Sequence, residues 1–343
     1  MTARSSKFCI APFTSMHIAG NGNVYPCCNY QGSDVAVGNI FKDSVDDILL
    51  GNRAATNRRR SMELSLPCNS CNFPHKTINP KNITVDSSHL TDWQHKNLGK
   101  LQVEIGYFCN SRCSFCEQPH MTKRSVPLEK LKEIVQRCEP KSIVLQGGEV
   151  YYNRGGAEFI EWLAENKNGA TVFMHTNCVL PKNFAETCFA AIDEFSLNMY
   201  GASPSTFAAV TGLKFEKATR FIEELVSIRS RNSGKAQSRL RFKMTTCPTT
   251  FHEIPDAILL AERLGLDDAR FNFDWFVDDF VKRYKNEFVA RIWDLTNEVL
   301  NCASIPVDTT SLVKYGFVRG KKTLATVSSA LNARRNEEHF RNA

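Results

Sequence analysis

Short runs in which apolar and polar positions alternate recur through the middle of the chain. They comprise residues 101–106, Ser142-Ile143-Val144-Leu145-Gln146, Thr171-Val172-Phe173-Met174-His175, Glu194-Phe195-Ser196-Leu197-Asn198, Leu240-Arg241-Phe242-Lys243-Met244 and Ala269-Arg270-Phe271-Asn272-Phe273. Each is rich in β-branched or aromatic residues and is predicted to be a strand. Between them lie stretches of helical period: about 127–138 opened by Pro127, 156–167, 181–191, 214–231, and 254–264 stopped at Gly265. In 214–231 the apolar residues Phe221, Ile222, Leu225 and Ile228 fall on one helical face. Strands alternating with helices predict βαβ units around a parallel sheet. Six such units make a partial (β/α)6 barrel of TIM-like type, an α/β fold with its strand C-terminal ends on one rim.

Outside residues 98–275 the pattern changes. Residues 1–78 carry little long-period order, but His17–Pro26 reads as a small hairpin, its Asn21-Gly22 favouring a primed turn. Residues 79–97, with Asn79-Pro80-Lys81-Asn82, read as a linker. Residues 276–343 read as an extension, with a helix to about 301 and then a polar tail. A chain of 343 residues that is 42% hydrophobic, with 18 Gly and 13 Pro, buries an ordinary core and is not low-complexity. The net charge of +7 comes from 43 basic and 36 acidic residues, and the basic clusters Arg58-Arg59-Arg60, Lys123-Arg124 and Arg319-Gly320-Lys321-Lys322 are short. They predict solvated faces, so nucleic acid is not expected as a partner. No apolar run approaches the roughly 18 residues that span a membrane, and no secretory h-region is seen, so no membrane partner is expected and the cytoplasm is. Thirteen cysteines in a reducing compartment point to metal binding before disulfides.

Directly after the first strand, Phe108-Cys109-Asn110-Ser111-Arg112-Cys113-Ser114-Phe115-Cys116 sets three thiols at CxxxCxxC spacing. Zinc in a structural site is closed by four ligands, whereas an iron–sulfur cluster on three thiolates keeps one iron open. The second strand ends in Gln146-Gly147-Gly148-Glu149, where two glycines permit close backbone approach and a carboxylate can accept from an ammonium group. In the N-terminal segment, Cys9, Cys27 and Cys28 precede a CxxC formed by Cys68 and Cys71, and the hairpin brings Cys9 toward Cys27. Cys138, Cys188 and Cys302 lie in helical patterns and read as small buried hydrophobes.

The cysteine loop, with an aromatic before its last thiol, and the Gly-Gly-Glu one strand later resemble the signature of the radical S-adenosylmethionine (SAM) superfamily. Val150 stands where those relatives more often have proline, and Cys178 where Thr176-Asn177 is often followed by glycine. Cys9, Gly22, Cys27, Cys68 and Cys71 resemble that family's auxiliary-cluster region, called SPASM or, shortened, twitch. Here it precedes the barrel, and the later SPASM cysteines are absent, which favours one auxiliary cluster.

The resemblance implies a [4Fe–4S] cluster on Cys109, Cys113 and Cys116 with SAM on its open iron. It places Gly147, Gly148 and Glu149 at the SAM amino group, Phe115 near the adenine, Asn198 toward the ribose or methionine portion, and Asn177 among the cofactor-binding residues. It implies one auxiliary iron–sulfur cluster on Cys9, Cys27, Cys68 and Cys71, an electron donor such as a flavodoxin or ferredoxin, and a peptide or small-molecule substrate. Two other readings of the same residues stand beside it. One is a non-catalytic zinc protein touching nucleic acid, since zinc accepts the same ligands. The other is a barrel enzyme with Glu149 and His175 as acid and base.

Overall fold

The computed structural model describes residues 8–68, 77–78, 96, 98–119, 122–232, 238–273 and 287–314. The expected linker, apart from Lys96, and the C-terminal tail beyond 314 lie outside these residues. The chain divides into two compact units, the first taking residues up to Asn110, 118–174 and 190–192, the second 111–117, 175–189 and from 193 onward.

In the first unit, β1 (Phe8–Cys9) pairs antiparallel with β5 (Thr77–Ile78). A larger sheet runs in the order β4 (Gly38–Asn39), β3 (Asn23–Tyr25), β2 (Ser15–Ile18), β6 (Lys100–Glu104), β7 (Ser142–Gln146) and β8 (Thr171–Thr176). The β6–β7–β8 part is parallel, as the alternating runs predict. The N-terminal segment also joins this sheet: β2 runs parallel to β6 with Ser15 opposite Lys100 and Ile18 opposite Val103. Ile18, Val24, Leu101, Val103, Ile143 and Leu145 are all fully buried on it.

The β2–β3 hairpin forms where expected, but not through a primed turn. Gly22 N–H donates to the Ala19 carbonyl at 2.8 Å, and among Gly20, Asn21 and Gly22 only Gly22 has positive φ, at 87°. The connection is therefore an ordinary turn closed by a glycine in the left-handed region. A Cβ on Gly22 would sit 2.2 Å from the Phe41 ring, so the position excludes side chains on two counts.

Three helices of the N-terminal segment, α1 (Ala11–Thr14), α2 (Val45–Leu50) and α3 (Asn52–Met62), were not legible in its period. A reciprocal capping box between Ser44 and Asp47 starts α2. The basic run on α3 is a solvated face only in part: Arg59 is exposed, but its neighbours are engaged. Arg58 is 5% exposed and donates to the Leu49 carbonyl, its pKa lowered by that burial, while Arg60 donates to the Asp34 carbonyl. Lys123 and Arg124 are exposed, as expected, with Arg124 lying 3.6 Å from the centre of the Phe41 ring and Lys123 5.9 Å from that of Phe108.

The first unit is completed by α4 (Leu128–Cys138) and α5 (Gly156–Asn166). Leu131, Ile134, Val135 and Cys138 give α4 its buried stripe at helical spacing, and it ends on Glu139 in the left-handed region.

The second unit is a four-stranded parallel sheet in the order β9 (Glu194–Asn198), β10 (Arg239–Thr246), β11 (Asp268–Phe273), β12 (Val307–Asp308). Its helices are α7 (Pro204–Thr211), α8 (Phe215–Arg231), α9 (Ile254–Arg263), α10 (Glu287–Cys302) and α11 (Thr310–Lys314); α6 (Ala185–Ala191) spans the division of the chain. Ala218, Phe221, Ile222, Leu225 and Ile228 form the buried face of α8. Cys138 and Cys188 are buried as expected, but Cys302 is exposed because it falls at the last turn of α10. No helix among the described residues is long and apolar enough to cross a membrane.

Candidate functional site

The Gly-Gly-Glu turn and the entry to the cysteine loop are fastened together within the first unit. Ile105 N–H donates to the Gln146 carbonyl at 3.3 Å, Gly148 N–H to Gly106 at 2.9 Å, and Glu149 N–H to Phe108 at 3.1 Å. Gly147 has φ 123°, and a Cβ there would meet the Gly106 carbonyl oxygen at 2.5 Å. On Gly148 a Cβ would lie 2.2 Å from the Phe108 carbonyl oxygen. Both glycines are thus required by close backbone approach, and Glu149, 2% exposed, follows at once.

One residue in this clamp escaped the sequence reading. Asn153, 4% exposed, accepts from Phe108 N–H at 3.2 Å and donates to the Phe108 carbonyl at 2.9 Å and the Glu149 carbonyl at 2.8 Å. It satisfies backbone groups on both sides at once. Its only signal in the sequence was an amide four residues beyond Glu149.

The rest of the loop is held within the second unit. Arg112 and Ser114 N–H groups donate to the Thr211 and Val210 carbonyls at the C-terminal end of α7, where the helix itself supplies no donor. The Ser111 hydroxyl donates to the Thr211 carbonyl at 3.0 Å and lies 3.1 Å from the Cys113 sulfur. Burial pushes the Cys113 thiol up to about 11 against the lowering effect of Ser111. Phe115 meets Tyr200 edge-on with ring centres 5.1 Å apart.

Asn177 and Asn198 are nearly buried. Asn177 Oδ1 accepts from Val179 N–H and shapes the turn after β8, while Asn198 Oδ1 accepts from the Ser196 hydroxyl. Cys178 has φ 64°, so the left-handed backbone of a glycine is kept here without one. Thr176 Oγ1 accepts from the Cys178 N–H and supports that conformation.

In the N-terminal segment, Cys9 and Cys68 pack against one small cluster of Ala19, Tyr25, Val35 and Leu66. The Cys9 carbonyl accepts from Ser61 Oγ. Cys27 and Cys28 follow β3 directly; Cys71 lies outside the described residues. In kind, these thiol sets suit iron–sulfur clusters: three on one tight loop, and a second set in the N-terminal segment. Among the described residues no three His, Cys, Asp or Glu side chains are yet gathered around one point. Ligation and local folding are coupled at such sites.

A family model described as the radical SAM superfamily matches residues 103–228, spanning the cysteine loop and the Gly-Gly-Glu turn. A second, described as an iron–sulfur cluster-binding domain (SPASM), matches residues 9–72. The chain carries a radical SAM domain and a SPASM domain. With the radical SAM domain come a [4Fe–4S] cluster and SAM, and with the SPASM domain an auxiliary iron–sulfur cluster.

Solved structures similar to this radical SAM protein include Streptococcus suis SuiB bound to precursor peptide SuiA. Identity there is 12% and the TM-score 0.47, over 86% of this chain and 70% of that one. A tagged anSMEcpe with bound AdoMet matches at 15% identity and TM-score 0.48, over 63% and 66%. The FeFe-hydrogenase maturase HydG from Carboxydothermus hydrogenoformans matches at 12% identity and TM-score 0.38, over 88% and 66%. The radical SAM chain thus spans about two thirds of the length of these proteins. No curated protein matches it.

Proposed function

We propose that this chain is a radical SAM enzyme acting on a peptide or small molecule, with Cys109, Cys113 and Cys116 as the ligands of the SAM-binding cluster. When bound, the cluster and SAM together supply one-electron cleavage of a sulfonium carbon–sulfur bond and a 5′-deoxyadenosyl radical able to take hydrogen from an unactivated carbon. The chain's part is to bind and orient. Gly147 and Gly148 let the backbone approach the SAM amino group, whose ammonium donates to the Glu149 carboxylate. Phe115 packs beside the adenine, Asn198 reaches the ribose or methionine portion, and Asn177 is a further cofactor-binding residue. Residues 1–78 form the auxiliary domain, its cluster held by Cys9, Cys27, Cys68 and Cys71; residues 98–275 form the catalytic core and 276–343 an extension. A flavodoxin or ferredoxin in the cytoplasm delivers the electron, with no nucleic acid or membrane involved.

The observation that carries this reading is the fastening of Phe108, at the entry to the CxxxCxxC loop, onto the Gly147–Glu149 turn by backbone hydrogen bonds and Asn153. Anaerobic reconstitution, iron and sulfide counting, and a reductant-dependent assay for 5′-deoxyadenosine test it. A brown protein that forms 5′-deoxyadenosine agrees with the proposal; a colourless protein holding zinc and leaving SAM intact refutes it.

A further inference from the structure

The sheet of the second unit has one apolar and one charged face. Leu240, Phe242 and Met244 of β10 alternate with Arg239, Arg241 and Lys243, and the register continues both faces onto β9 and β11. Three of the four cations on the charged face have carboxylates of their own. Asp268 takes Arg239 and Arg241, Glu194 also takes Arg241 at 2.7 Å, and Asp308 takes Arg270 at 2.7 Å. Lys243 is left over. In its row, which the pairing register defines, its neighbours are Asn198 on one side and Arg270 on the other. Among the described residues no carboxylate pairs with it.

Lys243 is half-buried, reachable yet partly stripped of water. A partly buried ammonium beside guanidiniums is costly when uncompensated, and natural sheets place a carboxylate or an apolar residue there. On this face every other cation has been so compensated, which makes the omission specific to one position near the C-terminal half of β10. Anions recognised by proteins meet this arrangement: a point charge and a planar fork fixed by its own ion pair.

We infer that Lys243, with Arg270 beside it, binds an anionic group of the substrate, a carboxylate being the class that fits. The assignment of that anion to a substrate rests on the radical SAM reading; the charge imbalance does not. Burial and the neighbouring Arg270 and Arg241 charges also lower the Lys243 ammonium to about 8, which makes its amine reactive near that pH and gives a readout independent of any cluster.

The full-length protein is treated with acetic anhydride near pH 8, and acetylation of Lys243 is followed by peptide mass spectrometry. Glutarate, its neutral analogue glutaramide, inorganic phosphate and SAM are each added. Glutarate is expected to slow acetylation of Lys243 about fivefold at four times its dissociation constant, since protection scales as one plus ligand over that constant. Glutaramide is expected to leave it unchanged, Arg270→Gln to weaken the protection and Arg270→Lys to keep it. Absence of protection by glutarate overturns the inference. Protection by SAM in place of glutarate also overturns it, because the lysine then serves the cofactor, and stronger protection by phosphate overturns the carboxylate assignment. If glutarate protects while reconstituted protein forms no 5′-deoxyadenosine, the anion site stands and the radical SAM chemistry fails, so the two failures are distinguishable.

Discussion

Between Phe108 and Cys116 the chain is fastened through Phe108, Ser111, Arg112 and Ser114, whereas Cys9 and Cys68 pack against a four-residue apolar cluster and Cys27 lies in the loop after a three-residue strand. The first arrangement fixes its backbone before any ligand arrives: glycines pressed on carbonyls, Asn153 bridging loop and turn, and the end of α7 accepting from Arg112 and Ser114. The second buries Ile18, Val24, Ile40 and Ile48 yet leaves the order around its thiols to be supplied by ligation. Substituting one thiol in each region tests this contrast most severely. Cys109→Ala is expected to abolish 5′-deoxyadenosine formation, with iron falling by about one four-iron cluster per chain. Cys68→Ala is expected to lose a similar amount of iron while the spectroscopic signature of the SAM-bound cluster persists. Electron paramagnetic resonance with and without SAM, read beside the iron count, separates the two. Loss of the SAM-responsive signal in Cys68→Ala would mean the regions are not independent.

The contrast also explains what the sequence revealed and what it hid. The six strands of the core were legible because apolar residues alternate on every one of them, as Phe195 and Leu197 or Phe242 and Met244 show. Cysteine spacing and the paired glycines were legible because they are contiguous. The parallel pairing of β2 with β6 was not, since partners such as Ile18 and Val103 are far apart in sequence and nothing local specifies them. Helix α7 was missed although Ser203, Pro204 and Gly212 punctuate it, because eight residues are too few for a clear period. Asn153 was missed for another reason: a lone amide carries no pattern, and its role exists only where two backbone segments meet.

Gly148→Ala sharpens the claim that the catalytic loop is set by backbone approach. The added methyl would fall 2.2 Å from the Phe108 carbonyl oxygen and 2.7 Å from the Tyr107 carbonyl carbon, both main-chain atoms that cannot swing aside. Overpacking of this kind costs about 1–3 kcal/mol of stability, and a shift of the loop near 1 Å lowers SAM cleavage by about 100-fold. Thermal unfolding and single-turnover cleavage measure the two effects. A fully active Gly148→Ala would remove the close-approach argument.

Asn153 probes the same clamp from its side chain. Asn153→Ala forfeits three hydrogen bonds to backbone, at a cost of about 2–3 kcal/mol, and is expected to raise the KM for SAM more than it lowers the iron content. Asn153→Asp keeps the acceptor for Phe108 N–H but turns an anion on the Phe108 and Glu149 carbonyls, so it is expected to be at least as damaging despite its identical shape. An aspartate variant that restored SAM affinity would show that shape alone is needed.

The smallest expected effect falls in the N-terminal segment. Ser61 is buried at 1% exposure, and its hydroxyl donates to the Cys9 carbonyl, tying α3 to β1. Ser61→Ala removes one neutral hydrogen bond, about 1 kcal/mol. If ligation supplies most of the order here, that loss is concealed in the reconstituted protein, where cluster ligands already hold Cys9. It is exposed after the iron is removed by chelation under mild oxidation. Limited proteolysis is therefore expected to cut residues 9–68 of the variant faster than wild type only in the iron-free state, while the β6–β8 core resists equally in both. Equal sensitivity of variant and wild type in the iron-free state would mean that the segment holds itself together, and that the two cysteine regions differ less in their support than their packing implies.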